Sequence, residues 1–308
     1  MTNVKEIPGY KNYGKCVEIQ NRDMLAVVTV DIGPRIVFFG YKGGVNIMND
    51  DKDAFAPLTN EAMDKFYYKG AAWNNYGGHR MWLSPESMPQ TYYPDCTPVA
   101  YTLTENGVIL VPAPQKENGV AYEIELSMDE KGLLIRHKAT NIAEKAQQFA
   151  IWALTVSAKG GTEIIPMNTN DTGLLANRQI AVWPYTDLSD DRLYLGERYV
   201  TLKQTDKDRA FKLGFDNMSG CAYYVVGDTV FCKKYAANHP DGRYPDGGMS
   251  FETYTGALFT EIETIGELSD VEPGASIQHS ELWTLNKKPC DFDERNDDSI
   301  ESFLSKLN

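Results

Sequence analysis

The chain has 308 residues, of which 42% are hydrophobic and 24% are charged, and its formal net charge is −13. This composition is typical of a soluble globular protein and excludes a disordered or fibrous chain. The excess of acidic residues excludes the basic footprint that nucleic acid or an anionic membrane requires, so we expect a neutral small molecule as the partner.

The sequence contains no segment typical of a membrane span or a secretory signal. It has no run of 18 apolar residues, and its N-terminal segment lacks the apolar stretch of a secretory signal. Its five cysteines are scattered without CxxC spacing, as expected for reduced thiols. We therefore expect a cytoplasmic protein; a secreted form whose signal has been removed would have the same sequence.

Hydrophobic residues alternate with a period of two along most of the chain, which predicts short β-strands. In chain order, the predicted strands are residues 25–30, 35–39, 107–111, 121–126, 132–137, 149–154, 221–226, 230–233, 256–266 and 279–285. Turn sequences such as Asn106-Gly107 and Pro273-Gly274 divide the strands. Many short strands separated by turns are typical of a sandwich or barrel, so we predict one all-β domain over residues 1–308.

One helix is predicted, over residues 298–307. Asp298 can cap its start, and four apolar residues recur at helical spacing, namely Ile300, Phe303, Leu304 and Leu307. We expect this helix to pack on a sheet edge. Residues 51–68 fit either a loop or a short helix.

Two glutamates mark the predicted strand at 256–266 as a candidate site. Side chains alternate between the faces of a strand, so Glu261 and Glu263 point to the same face. Adjacent carboxylates repel, and a crowded carboxylate has a raised pKa that suits proton transfer near neutral pH. The alternative is two glutamates on the wet face of an antiparallel sheet, which is common.

Aromatic and polar side chains collect in segments around residues 73–86, 149–161 and 233–254. Aromatic faces stack on the apolar face of a pyranose, while carboxylates, amides and guanidinium groups bind its hydroxyls. For each tryptophan, core packing is the alternative. The candidate sugar-binding residues are Arg35, Asn75, Tyr76, Arg80, Trp82, Glu86, Trp152, Lys233, Tyr244 and Asp246.

His79 is the candidate proton donor, with a loop histidine bonded to backbone as the alternative. No pair of histidines has metal-ligand spacing and there is no HExxH sequence, so no metal site is predicted. No GxGxxG or P-loop sequence is present either, and we expect no cofactor.

Taken in order, several segments resemble the galactose mutarotase (aldose 1-epimerase)-like superfamily, and within it a bacterial mutarotase-like group. The likeness lies in residues 31–36, 77–86, 152–155, 160–166, 183–185, 244–248, 261–266 and 271–283. The resemblance implies a β-supersandwich with a sugar-binding cleft on one large sheet. It also implies acid/base ring opening of a neutral sugar without a cofactor.

In the enzymes of that superfamily, a late-strand glutamate takes the anomeric proton and a histidine gives a proton to the ring oxygen. The glutamate corresponds best to Glu263, with Glu261 as the close alternative, and Arg35 matches an early arginine. The usual histidines are replaced: Tyr76 precedes the Gly-Gly pair, and the mid-chain strand reads Ile151-Trp152-Ala153-Leu154-Thr155. His79 is then the substitute acid, with Tyr244 as an alternative.

The resemblance leaves four functions open. The first is an aldose 1-epimerase-like enzyme acting on a neutral sugar, and the second is a carbohydrate-binding protein without catalysis. The third is a lyase or other hydroxyl-processing enzyme, because related supersandwich domains occur in polysaccharide-degrading enzymes; the acidic surface argues against polyuronate substrates. The fourth is a sugar-phosphate epimerase, which would need arginines such as Arg35, Arg80, Arg178 and Arg243 to converge.

Overall fold

The computed structural model describes residues 2–239 and 241–307. Its strands, numbered β1 to β21, are Asn3–Ile7, Cys16–Gln20, Met24–Thr29, Ile36–Tyr41, Gly78–Ser84, Ala100–Leu103, Gly107–Val111, Val120–Met128, Leu133–Asn141, Gln147–Ser157, Thr162–Pro166, Ile180–Val182, Leu193–Leu195, Tyr199–Lys203, Phe211–Phe215, Cys221–Val226, Thr229–Tyr235, Phe251–Thr255, Thr260–Ile265, Ser269–Val271 and Ser276–Lys287. Helix α1 is Glu61–Phe66 and helix α2 is Asp297–Leu304.

The strands form two antiparallel sheets. The first sheet has the order β1-β2-β3-β4-β5-β10-β19-β18-β15-β12, with β20 paired to β10. The second has the order β13-β14-β11-β16-β17-β21-β9-β8-β7-β6. Strands β10 and β19 therefore lie in the middle of the first sheet, with neighbours on both sides.

The main hydrophobic core lies between the sheets. Phe39 of the first sheet contacts Phe231 and Trp283 of the second, with ring centroids 6.0 Å and 5.4 Å apart. Burial of such large aromatic side chains holds the two layers together. This arrangement confirms the prediction of an all-β sandwich.

Each of the ten predicted strands overlaps a strand of the structure, but eleven further strands escaped prediction. Strand β5 is an example, because it contains Gly78, His79 and Arg80 in place of a clean alternation of apolar residues. Such a strand gains its stability from hydrogen bonds and packing in the middle of a sheet rather than from its own residue preferences.

The C-terminal helix differs from the prediction at both ends. It begins at Asp297 and ends at Leu304, and its cap is Asn296, whose side chain accepts a hydrogen bond from the Ser299 amide. Its apolar residues Ile300 and Phe303 pack with Ile164 and Val230 on the second sheet. The helix therefore packs on one face of the second sheet, in a cluster that reaches from Val230 of β17 to Tyr194 of the edge strand β13.

Helix α1 lies within the ambiguous segment at 51–68. Asn60 caps it by accepting a hydrogen bond from the Met63 amide. None of the helices in the described part of the chain is long and apolar enough to cross a membrane.

Candidate functional site

Strand β19 divides its side chains between two environments. Glu261 and Glu263 lie on the face of the first sheet that turns away from the second sheet, which we call the outer face. Ile262 and Thr264 lie on the inner face, which packs against the second sheet. The predicted strand at 256–266 is confirmed over Thr260–Ile265, and the two glutamates share a face of it.

A third glutamate joins this pair across the sheet. Glu252 of β18 is in direct register with Glu263 of β19, so the two carboxyl groups lie side by side on the outer face. Their exposed fractions are 1% and 0%. Two buried carboxyl groups in adjacent positions need a cation or a proton between them.

Lys212 of β15 supplies that cation. Its Nζ lies 2.7 Å from Glu252 Oε2 and 3.1 Å from Glu263 Oε2. It also lies 4.6 Å and 4.8 Å from the ring centroids of Trp152 and Trp183. One ammonium is thus shared by two carboxyl groups and enclosed by two indole rings.

Glu263 has a second donor, because Trp152 Nε1 donates to its Oε2 at 2.8 Å. The other oxygen of each carboxyl group, Oε1 of Glu252 and Oε1 of Glu263, has no hydrogen-bond partner among the described residues. A buried polar oxygen without a partner is costly, and such atoms are common where a ligand or proton is bound.

The protonation of this cluster follows from its charges. Burial raises the pKa of both carboxyl groups, that of Glu252 well above its ordinary value, and Lys212 only partly offsets the effect. Burial alone would lower the pKa of Lys212, but Glu263 and Glu252 outweigh it and the pKa is raised. Lys212 therefore balances one carboxylate, and the raised pKa values favour a proton on the other carboxyl group of the pair.

A cavity of ≈ 370 Å³ opens above Glu252 and Lys212. This volume is within the range of about 300–1,000 Å³ for small-molecule sites. Its lining residues are Glu86, Ser87, Met88, Tyr92, Trp152, Trp183, Lys212, Asp246 and Glu252. Of the predicted sugar-binding residues, the structure brings Glu86, Trp152 and Asp246 to this wall.

Arg80 and Trp82 lie beside the cluster on the outer face. Arg80 Nη2 is 2.8 Å from Glu261 Oε1, and the guanidinium group lies over the ring of Trp82 at 4.2 Å. Trp82 in turn contacts Trp152, with ring centroids 5.5 Å apart. The two glutamates of β19 are therefore in different settings, because Glu261 pairs with arginine while Glu263 belongs to the carboxyl pair.

His79 and Lys233 do not join this site. His79 adjoins Arg80 on β5 and so points to the inner face, where its Nδ1 lies 2.9 Å from Thr155 Oγ1. Lys233 comes from the second sheet and reaches Glu281 Oε1 at 3.0 Å. The sheet itself separates both from Glu263, so the predicted pairing of Glu263 with His79 does not form.

The inner face contains a buried network of polar side chains. Lys233 donates to Thr155 Oγ1 at 2.9 Å, which leaves the Thr155 hydroxyl proton for His79 Nδ1. His79 Nε2 then donates to His137 Nε2 at 2.8 Å, and His137 Nδ1 donates to the carbonyl of His279 at 3.1 Å. Burial lowers the pKa of all three histidines, that of His279 to about 3, so each ring is neutral.

Glu281 anchors the other end of this network. Its Oε2 accepts from Trp283 Nε1 at 2.8 Å, and its Oε1 accepts from Thr264 and pairs with Lys233. His79, His137 and Glu281 bring ligand atoms within 4.8 Å of one another. Each of those atoms already has a hydrogen-bond or ion-pair partner, and the Lys233 ammonium opposes a second cation there.

The remaining predicted residues lie elsewhere. Arg35 pairs with Asp95 at 2.6 Å beside a small cavity of ≈ 30 Å³. Asn75 accepts from the Gly77 amide, and the Tyr76 carbonyl accepts from Tyr13. Tyr244 lines a separate cavity of ≈ 330 Å³.

Sequence reasoning singled out neither Lys212 nor Glu252 as a site residue, although Glu252 falls within the aromatic and polar segment at 233–254. A pattern was available for both, because each is a charged residue set between apolar or small neighbours, in Phe211-Lys212-Leu213 and Phe251-Glu252-Thr253. Alternation of this kind places a charge on the face opposite its apolar neighbours. It cannot show that two such strands are adjacent.

Comparison with solved structures identifies the architecture. A galactose mutarotase-like protein from Lactobacillus casei superimposes with a TM-score of 0.55 at 10% identity, covering 88% of this chain and 100% of that one. The chain has the galactose mutarotase-like fold. A galactose mutarotase related enzyme from Lactobacillus acidophilus gives a TM-score of 0.50 at 9% identity, covering 88% of this chain and 97% of that one.

The mutarotase-like fold also occurs within a larger protein. A TPR-domain containing protein from Parabacteroides distasonis gives a TM-score of 0.57 at 13% identity, covering 90% of this chain and 48% of that one. No protein-family model and no curated protein sequence matches the chain. Because a shared fold does not fix a function, the function must be argued from the site.

Proposed function

We propose that this mutarotase-like protein performs acid/base chemistry on an aldose, opening and reclosing the ring as an aldose 1-epimerase does. The observation that supports the proposal is the carboxyl pair, Glu252 and Glu263, which shares the ammonium of Lys212 at the wall of a cavity. A carboxyl group that remains protonated near neutral pH is the acid that such chemistry requires.

Glu252 is the member that contacts the sugar, because it lines the cavity while Glu263 is enclosed behind it. A protonated carboxyl group is both a donor and an acceptor. Glu252 would give its proton from Oε1 to the ring oxygen and accept the anomeric hydroxyl proton on Oε2. The C1–O5 bond breaks as the C1=O1 bond forms, the carboxyl group ends the step neutral, and ring closure reverses these transfers.

Glu263 acts as a positioning residue for this chemistry. Trp152 and Lys212 both donate to it, so it is the member of the pair better stabilised as an anion. Its negative charge beside Glu252 keeps the neighbouring carboxyl group protonated. This differs from the sequence-based expectation, in which Glu263 itself takes the anomeric proton.

The anionic-substrate alternative lacks its supporting geometry. Arg80 pairs with Glu261, Arg35 with Asp95 and Arg243 with Asp270, while Arg178 lines the separate cavity near Tyr244. No arginine is among the described residues that line the cavity above Glu252. We therefore propose an aldose without a phosphate group.

The test is saturation-transfer NMR of anomer interconversion over a panel of aldoses, with matched glutamate-to-glutamine variants. We expect Glu252→Gln to lower kcat by about 10²–10⁴-fold, the usual contribution of an acid/base group. Glu263→Gln should lower activity at neutral pH and move the pH–rate profile to lower pH. In this variant Lys212 pairs with Glu252 alone, which lowers the pKa of Glu252. Glu163→Gln is the control, since Glu163 is a buried carboxyl group with a raised pKa on the inner face.

The outcomes separate the alternatives. If Glu263→Gln is inactive at every pH while Glu252→Gln is active, Glu263 is the direct base. If sugars bind and no variant or wild type interconverts their anomers, the protein is a carbohydrate-binding protein. That second candidate is favoured by one observation, namely that no histidine is among the described residues lining the cavity.

A further inference from the structure

The charges on the cavity wall do not cancel. Glu86, Asp246 and Glu252 line the cavity, and Lys212 is the cation among the described lining residues. Lys212 is already shared between Glu252 and Glu263, at 2.7 Å and 3.1 Å. If that pair holds one proton, the charge of the Lys212 ammonium balances the charge of the remaining carboxylate. The negative charges of Glu86 and Asp246 then have no balancing charge on the wall.

The partners of those two carboxylates are uncharged. Tyr92 donates its hydroxyl to Glu86 Oε1, and the Ser84 hydroxyl lies 3.4 Å from Asp246 Oδ2. Within residues 2–239 and 241–307, neither carboxylate has a lysine, arginine or histidine nitrogen within the 4.0 Å of an ion pair. The wall therefore has two solvent-exposed carboxylates that lack a counter-charge from the described chain.

A second observation points to a ligand at the same wall. Glu252 is only 1% exposed, lines the cavity and has an oxygen, Oε1, without a hydrogen-bond partner. A ligand that fills the cavity can supply a hydrogen-bond partner for this atom, and a positive charge on it would be attracted by Glu86 and Asp246.

A bare metal ion does not suit the cavity. Among the described residues, the group of three ligating side chains with atoms within 4.8 Å is His79, His137 and Glu281, on the other side of the sheet. The carboxylates of the cavity are more widely spread than a metal shell requires. They are instead bordered by Trp152, Trp183 and Tyr92, which suit an organic body with hydroxyl groups.

We propose that the ligand of this cavity is an amino sugar, an aldose that carries a free protonated amine, and that Glu86 and Asp246 bind its ammonium group. This inference rests on the proposed function and refines the sequence-based expectation of a neutral sugar. It excludes uronic acids and sugar phosphates as preferred ligands, because the unbalanced carboxylates repel them.

Calorimetric titration at pH 6 tests this directly, with D-glucosamine and D-galactosamine compared against glucose, galactose and the two N-acetyl sugars. We expect each free amino sugar to bind at least about tenfold more tightly than its neutral counterparts. An amine of this kind titrates near pH ~8, as an α-amino group does, so the preference should vanish well above that pH. Equal affinity for glucose and glucosamine would overturn the proposal.

Two variants test whether Glu86 and Asp246 bind the ammonium group of the sugar. Glu86→Gln and Asp246→Asn should each reduce the affinity ratio of amino sugar to parent sugar severalfold. Glu130→Gln removes an equal charge from an exposed loop that lines a different groove and should leave that ratio as in the wild type. A preference that survives in the double variant Glu86→Gln/Asp246→Asn would also overturn the proposal.

Failure of this inference is distinguishable from failure of the proposed reaction. If amino sugars bind tightly and their anomers do not interconvert faster than in buffer, the ligand class stands and the epimerase function is wrong. If neutral sugars interconvert with no advantage for the amine, the reaction stands and the ligand class is wrong.

Discussion

Each face of strand β19 carries a buried cluster of lysine and glutamate side chains. The two clusters differ in whether the polar atoms of these side chains all have hydrogen-bond or ion-pair partners. On the inner face, both oxygens of Glu281 and both ring nitrogens of His79 have partners. On the outer face, one oxygen of Glu252 and one of Glu263 have none in the described chain. The network around Glu281 and His79 lies inside the sandwich, whereas the carboxyl pair adjoins a cavity.

The direction of the pKa shifts follows this difference. Burial raises the pKa of every enclosed carboxyl group, but at Glu281 the electrostatic interaction with Lys233 and the neighbouring histidines outweighs burial and lowers the pKa. The Glu252–Glu263 pair has one ammonium for two carboxyl groups, and its pKa values stay raised. At these two clusters, the lowered pKa belongs to a structural carboxylate and the raised values belong to the pair beside the cavity. Glu163 also has a raised pKa on the inner face, so the position beside the cavity, and not the shift alone, distinguishes the candidate acid.

The largest expected effect comes from removing each lysine in turn. Lys233→Met leaves Glu281 charged and buried, so we expect it to lower the free energy of unfolding by about 3–5 kcal/mol. Lys212→Met should cost less than about 2 kcal/mol, because Glu252 and Glu263 can take up protons beside the cavity. Urea denaturation of both variants measures the difference, and equal losses would mean that the two clusters are equivalent.

An intermediate effect is expected for His79→Gln. Glutamine cannot bridge Thr155 and His137 as the ring does, so the free energy of unfolding should fall by about 1–3 kcal/mol. The rate of anomer interconversion by the folded protein should not change, because the sheet separates His79 from the cavity. If His79→Gln folds as stably as the wild type but loses more than about a hundredfold in rate, the sequence-based role of His79 as the acid is restored.

The smallest effect is on the pH dependence of stability between pH 4.5 and 6.5. Burial lowers the pKa of His79. Its contribution to the free energy of unfolding is therefore present above pH 6.5 and is lost as the pH falls, because the unfolded chain then takes up the proton. The pKa of Glu252 is raised in the folded state. Its contribution to the free energy of unfolding is therefore present below pH 4.5 and is lost as the pH rises through the pKa of the folded state.

Variants separate these opposing slopes. Relative to the wild type, stability should rise less with pH in His79→Gln and more with pH in Glu252→Gln. Each change should be at most about 1.4 kcal/mol per pH unit, the effect of one proton. Denaturant titrations at half-unit pH intervals measure it, and slopes that shift in the same direction for both variants would refute the protonation states assigned to the two faces.

Much of the fold and part of the site follow from the sequence, for a local reason. The period of two in side-chain direction places Glu261 and Glu263 on one face of their strand. The same rule places His79 and Arg80 on opposite faces of β5, which already prevents both from meeting Glu263. The period of two and the turn sequences likewise sufficed to indicate an all-β sandwich or barrel, and the resemblance to mutarotase-like proteins indicated which of the two.

Tertiary structure alone decided which residues complete the site. Lys212 and Glu263 are 51 positions apart, and they meet because β15, β18 and β19 are adjacent in the first sheet. Strand order depends on pairing between distant segments, which a local pattern does not encode. The sequence by itself determined which side chains share a strand face; the arrangement of strands decided which of those faces carries a closed polar network and which borders a cavity.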